Sequence, residues 1–284
     1  MKNLLLLLIS TLFMGTSLFA KEQVIQGIVL DDERQLLAYV NIGIAGTAQG
    51  TVSAEDGSFR LYLPKAIAAA DTVVFSMVGY ESVALTLEHL LAVSQNEPLE
   101  IILKSQHLEL PEVTVRPQFE HYKTKGNDNA DANMFVQFSL SEQPNQNLGA
   151  EIGRKFNFSK PVHLERFRFF ISANNFEAVK FRVNVRSLQK GKPAAPINKQ
   201  NIIVEVTDKQ SGWITVDLSS YSIEVDDDIV MGIEWIEHST KGGALNLPIT
   251  VPSIGAVHYY HYGSQGEWKK FPMVSACMEL EVGY

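Results

Sequence analysis

GTVSAEDGSFRLYLP, residues 50–64, decides the fold of the first half of the chain. It sets Glu55, Asp56 and Gly57 between two runs of alternating side chains, a pattern that suits either a calcium loop or a reverse turn. A calcium loop with Gly57 at its sixth position would draw ligands from Val52 and Ala54 and a bidentate carboxylate from Leu63, and none of these can coordinate a cation. Phe59, Leu61 and Leu63 instead alternate with Ser58, Arg60 and Tyr62, the period of a strand with one buried face. The stretch therefore predicts a hairpin, with Asp56 and Gly57 as its structural turn.

The same grammar repeats on both sides. VIQGIVLD (24–31), AYVNIGIAG (38–46), TVVFSMVGY (72–80), ESVALTL (81–87) and LEIILK (99–104) read as short strands between Gly, Asp or Asn turns. Only LEHLLAVS, near residue 90, reads as helix. Such a run of short strands predicts a small antiparallel sandwich.

Gln26-Gly27, then AYVNIGIAGTAQGTVSAEDGSFRLYLP, FSMVGYESVALTL and ELPEVTVRP in that order, carry a resemblance. Residues 22–116 resemble the carboxypeptidase regulatory-like domain of exported Bacteroidetes proteins. They are also similar to the N-terminal extension of SusC-type TonB-dependent transporters. The resemblance implies a transthyretin-like, Ig-like β-sandwich that is not itself a peptidase. In those transporters a plug and a barrel follow, but the residues after 116 are far too few for a barrel of about 22 strands.

The first twenty residues, MKNLLLLLISTLFMGTSLFA, have Lys2 as their only charge, an apolar stretch, and small residues near Ala20. They read as a signal peptide (1–20) cleaved after Ala20, and no cysteine follows that would take a lipid. The chain is 284 residues long with a net charge of −8, and losing Lys2 makes it more negative still. That balance excludes nucleic acid as the expected partner. No later stretch reaches the ~18 apolar residues of a transmembrane helix. With 45% hydrophobic residues the chain can bury two cores of ordinary size. Cys277 is the single cysteine, so no intramolecular disulfide can form, and in SACMELEV it reads as a small buried hydrophobe.

The polar segment PQFEHYKTKGNDNAD, 117–131, lacks an apolar period and reads as a linker, open first to proteases near Lys123 or Lys125. The divisions expected are a regulatory-like sandwich at 21–116 and a second domain at 132–284. In the latter, RFRFFISA, KFRVNVRSL, NIIVEVTD, GWITVDLS, DIVMGIEWIE, AVHYYHY and ACMELEVGY read as strands, with Pro193, Pro196, Pro248 and Pro252 in loops. The fold class is thus all-β, with a second, jelly-roll-like sandwich. A small outer-membrane β-barrel at 132–284 is the alternative, because alternation suits both.

Chemistry is sparse. No G-x-S-x-G elbow or H-E-x-x-H zinc motif is present, and His89, His107, His121, His163, His238, His258 and His261 are scattered. His258 and His261, three apart in a strand, should face opposite ways. Glu234 and Glu237 have the residue types of a glycosidase pair, but the same spacing separates them. Asp226, Asp227 and Asp228 read as a solvated turn.

HYYHYGSQGEW gathers Tyr259, Tyr260, His261, Tyr262 and Trp268, a cluster that cannot all enter one core and whose outward rings could bind a sugar or a protein. No catalytic, metal or cofactor set is expected. The function expected is that of a non-catalytic exported protein, in the periplasm or on the surface of a Gram-negative bacterium. Its sandwiches would bind an envelope partner protein or a glycan. A hydrolase with dispersed site residues in the C-terminal domain is the other reading.

Overall fold

The computed structural model describes residues 23–94, 98–106, 119–132, 134–140, 145 and 147–284. The leader and ELPEVTVRP fall wholly or in large part outside the described residues. The first sandwich comprises β1 (Val24–Asp31), β2 (Asn41–Ile44), β3 (Gly50–Val52), β4 (Ser58–Tyr62), β5 (Thr72–Ser76), β6 (Val83–Thr86), the helix α1 (Leu87–Ser94) and β7 (Leu99–Leu103). One sheet has the order β4-β1-β7, with β1 antiparallel to β4 and parallel to β7, and the other β3-β2-β5-β6. Alternate residues of both sheets, such as Phe59 and Leu61 of β4 and Val73 and Phe75 of β5, fill the core between them.

The turn at 54–58 differs from the expected hairpin. Its tight geometry is present: Gly57 N–H donates to the Ala54 carbonyl at 2.9 Å, Ser58 N–H to Asp56 Oδ1 at 3.0 Å, and Gly57 has φ +72°. The strands it joins do not pair with each other, however, because β3 belongs to one sheet and β4 to the other. Ser53 accounts for the divergence: its buried hydroxyl accepts from Val40 N–H at 2.8 Å and donates to the Leu37 carbonyl at 2.9 Å. The chain is thereby held to the 37–40 segment just before the turn.

The rest of the chain forms β8 (Tyr122–Gly126), β9 (Met134–Gln137), β10 (Glu151–Phe156), β11 (Val162–Ile171), β12 (Ala173–Asn174), β13 (Ala178–Gln189), β14 (Lys192–Pro196), β15 (Ile202–Thr207) and β16 (Gly212–Asp217). It continues through β17 (Glu224–Val225), β18 (Ile229–His238), β19 (Leu245–Thr250), β20 (Val257–His261), β21 (Lys269–Pro272), β22 (Ser275–Ala276) and β23 (Met278–Gly283). One layer has the order β14-β13-β18-β10-β20-β21, with β15 also on β13. The facing layer has the order β16-β11-β23-β8, with β17 on β11. The short sheet β12-β19-β22, with β9 on β19, extends the facing layer through Phe170 N–H to the Cys277 carbonyl at 3.0 Å. A large apolar core fills the space between, from Phe181 and Trp235 on one side to Phe167, Phe169 and Leu280 on the other. These sheets have ends and do not close on themselves among the described residues, which is a sandwich and not the barrel alternative.

Three local expectations are corrected. Tyr122–Gly126, inside the expected linker, is an edge strand paired with β23, from Tyr122 with Gly283 to Gly126 with Glu279. Exposed on both faces, such a strand has no apolar period to read. Pro248 lies inside β19, where its carbonyl accepts from Cys277 N–H at 3.0 Å, and Pro193 and Pro196 lie in β14 at a sheet edge, where a missing N–H is tolerated. Glu234 and Glu237 share a face. The β13–β18 register shifts between Lys180 and Phe181, so that Lys180 meets Glu237 and Phe181 meets Trp235. Ile236 is the extra residue of a bulge, which reverses the parity of a spacing of three.

Candidate functional site

The outer face of the β13–β18–β10–β20 sheet is covered, not solvated. Along β13, Val179, Phe181, Val183 and Val185 point into the core, which leaves Lys180, Arg182, Asn184 and Arg186 on the opposite face. The first sandwich lies against that face. Tyr39 and Val52 pack with Ile236, and Lys180 Nζ donates to Tyr39 Oη at 2.7 Å. Ser264 Oγ donates to the Thr51 carbonyl at 2.7 Å, and Gln265 Nε2 to Ser76 Oγ at 3.2 Å.

A charged network is buried there. Glu151, Arg182, Asn184 and Glu234 each keep at most 1% of their surface exposed. Arg186 grips Glu151 with two bonds, Nη2 to Oε2 at 2.6 Å and Nε to Oε1 at 2.9 Å. Asn184 Nδ2 bridges the two carboxylates, at 2.9 Å from Glu151 Oε2 and 3.1 Å from Glu234 Oε2. Arg182 Nη1 donates to Glu234 Oε2 at 3.3 Å, while its Nη2 donates to the Tyr39 carbonyl of the first sandwich. A side chain on Gly232 would start 2.1 Å from Glu151 Oε1, so this neighbour has to be glycine for Glu151 to lie across β18. Burial by itself would push the Glu151 carboxyl up, but the Arg186 guanidinium and the His261 ring, 3.6 Å from Oε2, hold it well below its ordinary value.

Beside the network lies a cavity of about 580 Å³ between the sandwiches. The first sandwich supplies Asn41, Ser76, Met77 and Tyr80 to its wall; the second supplies Arg182, Asn184, Arg186, Glu234, His261 and Trp268. Trp268 is half-buried, with its ring centroid 4.2 Å from that of His261 and the Arg186 guanidinium 5.4 Å from the ring. The aromatic stretch is therefore divided. Tyr259 and His261 are buried on the Trp268 side, and Tyr259 Oη donates to the Gly191 carbonyl at 3.1 Å. Tyr260 enters the core, where its hydroxyl accepts from Asn147 Nδ2 at 3.1 Å, and Tyr262 is exposed at 37%.

The other candidates are occupied. Glu237 pairs with Lys180 at 3.0 Å, and Asp228 pairs with Lys155 at 2.6 Å and accepts from Phe158 N–H. His258 is buried beside Arg154 on the opposite side of β20 from His261, and burial and that cation lower its pKa to about 3. Burial pushes the Cys277 thiol up to about 12, the opposite of what a nucleophile needs. Among the described residues no three His, Cys, Asp or Glu side chains converge as metal ligands.

Sequence reading missed Glu151, Arg182, Asn184 and Arg186 as site residues. A polar face at period two normally means solvent. The available signal was Glu234, a charge flanked on both sides by the apolar residues of IVMGIEWI.

Comparison with known proteins gives likenesses to a family model, to a curated sequence and to solved structures. Residues 25–115 match the family model of the CarboxypepD_reg-like domain. The chain is 29% identical over 102 residues to the TonB-dependent receptor SusC of Bacteroides thetaiotaomicron, a match covering 36% of this chain and 10% of that receptor. Among solved structures, the cysteine protease and lectin-like domains of Cwp84, a surface layer associated protein of Clostridium difficile, align at 14% identity with a TM-score of 0.36, over 52% of this chain and 36% of that one. The clostridial cysteine protease Cwp84 after propeptide cleavage aligns at 11% identity with a TM-score of 0.40, over 92% and 70%.

Proposed function

We propose that this chain is a non-catalytic binding protein of the Gram-negative cell envelope, exported by its leader, whose two sandwiches act together as one recognition unit for a glycan or a partner protein. The observation that carries this reading is the ion-paired junction: Glu151 and Glu234 are each held by a guanidinium and by Asn184, which leaves neither poised to donate or accept a proton in catalysis. The regulatory-like match and the partial likeness to a TonB-dependent receptor support the envelope setting. Tyr262 and Trp268 are the rings of the aromatic stretch that a partner can reach without unfolding the sheet. The test is an envelope pull-down together with a glycan array, using wild type and Tyr262→Ala/Trp268→Ala. Wild type captures a defined ligand and the folded variant loses it. Capture of nothing by wild type, or turnover of a captured glycan or peptide, defeats the reading.

A further inference from the structure

We infer that the cavity between the sandwiches is a site for a neutral, hydroxyl-rich ligand, a short carbohydrate segment, gripped by both sandwiches at once; this rests on the binding-module reading above. The volume of about 580 Å³ falls within the ~300–1,000 Å³ of small-molecule sites. The wall is rich in amides, with Asn41 and Gln106 from the first sandwich and Asn184, Asn198 and Gln265 from the second. An amide offers a donor and an acceptor side by side, the complement of a hydroxyl, which also does both.

Charge decides the class further. The two arginines of the wall are each ion-paired, Arg182 with Glu234 of the wall and Arg186 with Glu151 beneath it, so neither guanidinium is left over for an ionic ligand. The one further Lys or Arg of the wall, Lys199, is exposed to solvent.

Three polar atoms of wall residues have no partner: Asn41 Oδ1, Asn184 Oδ1 and Arg182 Nε. The Asn184 amide cannot be turned over to change this, because its oxygen would then face both carboxylates. Two of the unmet groups are thus acceptors, which call for a ligand that brings donors, as hydroxyls do and carboxylates or phosphates do not. These atoms are covered in the unliganded molecule, so a ligand reaches them only as the wall rearranges around it. The half-buried Trp268 ring adds an apolar wall of the kind sugar faces pack on.

The experiment titrates the full mature chain by calorimetry and saturation-transfer NMR with neutral mono- and disaccharides (glucose, galactose, mannose, N-acetylglucosamine and their dimers) and with the corresponding uronic acids. Two variants are compared, Asn41→Ala, which deletes an unmet acceptor, and Ala195→Trp, which crowds the mouth from an exposed position. At least one neutral sugar binds wild type, each variant weakens it tenfold or more, and the acids bind less well. Unchanged binding in both folded variants removes the cavity as the site while leaving the binding module intact. Preference for the acids overturns the ligand class. If no sugar binds, the inference fails, and the envelope pull-down separately decides whether the module reading fails with it.

Discussion

Arg182 joins the Glu234 carboxylate of the second sandwich to the Tyr39 carbonyl of the first through two nitrogens of one guanidinium, and all of that group is buried. The bond to a backbone oxygen makes the relative placement of the sandwiches a condition for satisfying the charge.

Arg182→Met takes the paired guanidinium from buried Glu234 and leaves it the Asn184 amide, with Arg186 as the nearby cation. Removing one partner of a buried pair costs about 3–5 kcal/mol, whereas replacing both by apolar groups is often close to neutral. Urea unfolding should therefore show a large loss for Arg182→Met and a partial recovery in Arg182→Met/Glu234→Leu. A loss below about 1 kcal/mol in the single variant would mean that the pair is solvated.

Gly57 has φ +72°, and an added Cβ would lie 2.9 Å from the Val29 carbonyl oxygen. Gly57→Val should cost about 1–2 kcal/mol from the left-handed backbone alone. Calcium should leave the melting temperature of wild type unchanged, since Val52, Ala54 and Leu63 bring no side-chain oxygen to the turn. A large calcium-dependent rise would reverse that assignment.

Acid should destabilise the fold in two stages. His258 is held to a pKa of about 3, so below its ordinary value of 6.5 the unfolded chain binds a proton that the native state refuses. Stability then falls as pH drops from about 6.5, by up to ~1.4 kcal/mol per pH unit. The Glu151 carboxyl, also depressed, contributes stability above its ordinary 4.5 that is lost as pH falls further toward its native value. Stability measured against pH should lose its upper stage in His258→Phe and its lower stage in Glu151→Gln. A wild-type curve flat from pH 6.5 to 4.5 would contradict the His258 assignment, and a His258→Phe curve flat below pH 4.5 would contradict the Glu151 assignment.

Cys277 is fully buried, with its thiol pushed up to about 12. A thiol reagent should label it only after denaturant is added, at the rate of global unfolding. Rapid labelling of the native chain at pH 7 would expose a reactive thiolate and reopen a cysteine-based chemistry.

The first sandwich was readable because strands such as Ser58–Tyr62 and Leu99–Leu103 have one dry face; in the former Phe59 and Leu61 are buried and Arg60 is exposed. Period two survives there, and the order of turns carried the family resemblance. The junction was not readable, for a physical reason. Lys180, Arg182, Asn184 and Arg186 alternate in the same way whether water or another sandwich covers them, and only long-range pairing tells the two apart. The bulge at Ile236 was equally hidden, because an extra residue inside an apolar run leaves no mark on composition. Within the aromatic stretch the alternation did separate the rings, but it could not show that the Tyr259 and His261 side is covered.

The two sandwiches build the cleft together, and calorimetry of the chain from Lys21 onward tests that most directly. One transition, with calorimetric and van't Hoff enthalpies equal and shifted as a whole to lower temperature by Arg182→Met, is the predicted result. Two resolved transitions, only one of them moved by Arg182→Met, would show independent domains and contradict a shared recognition unit.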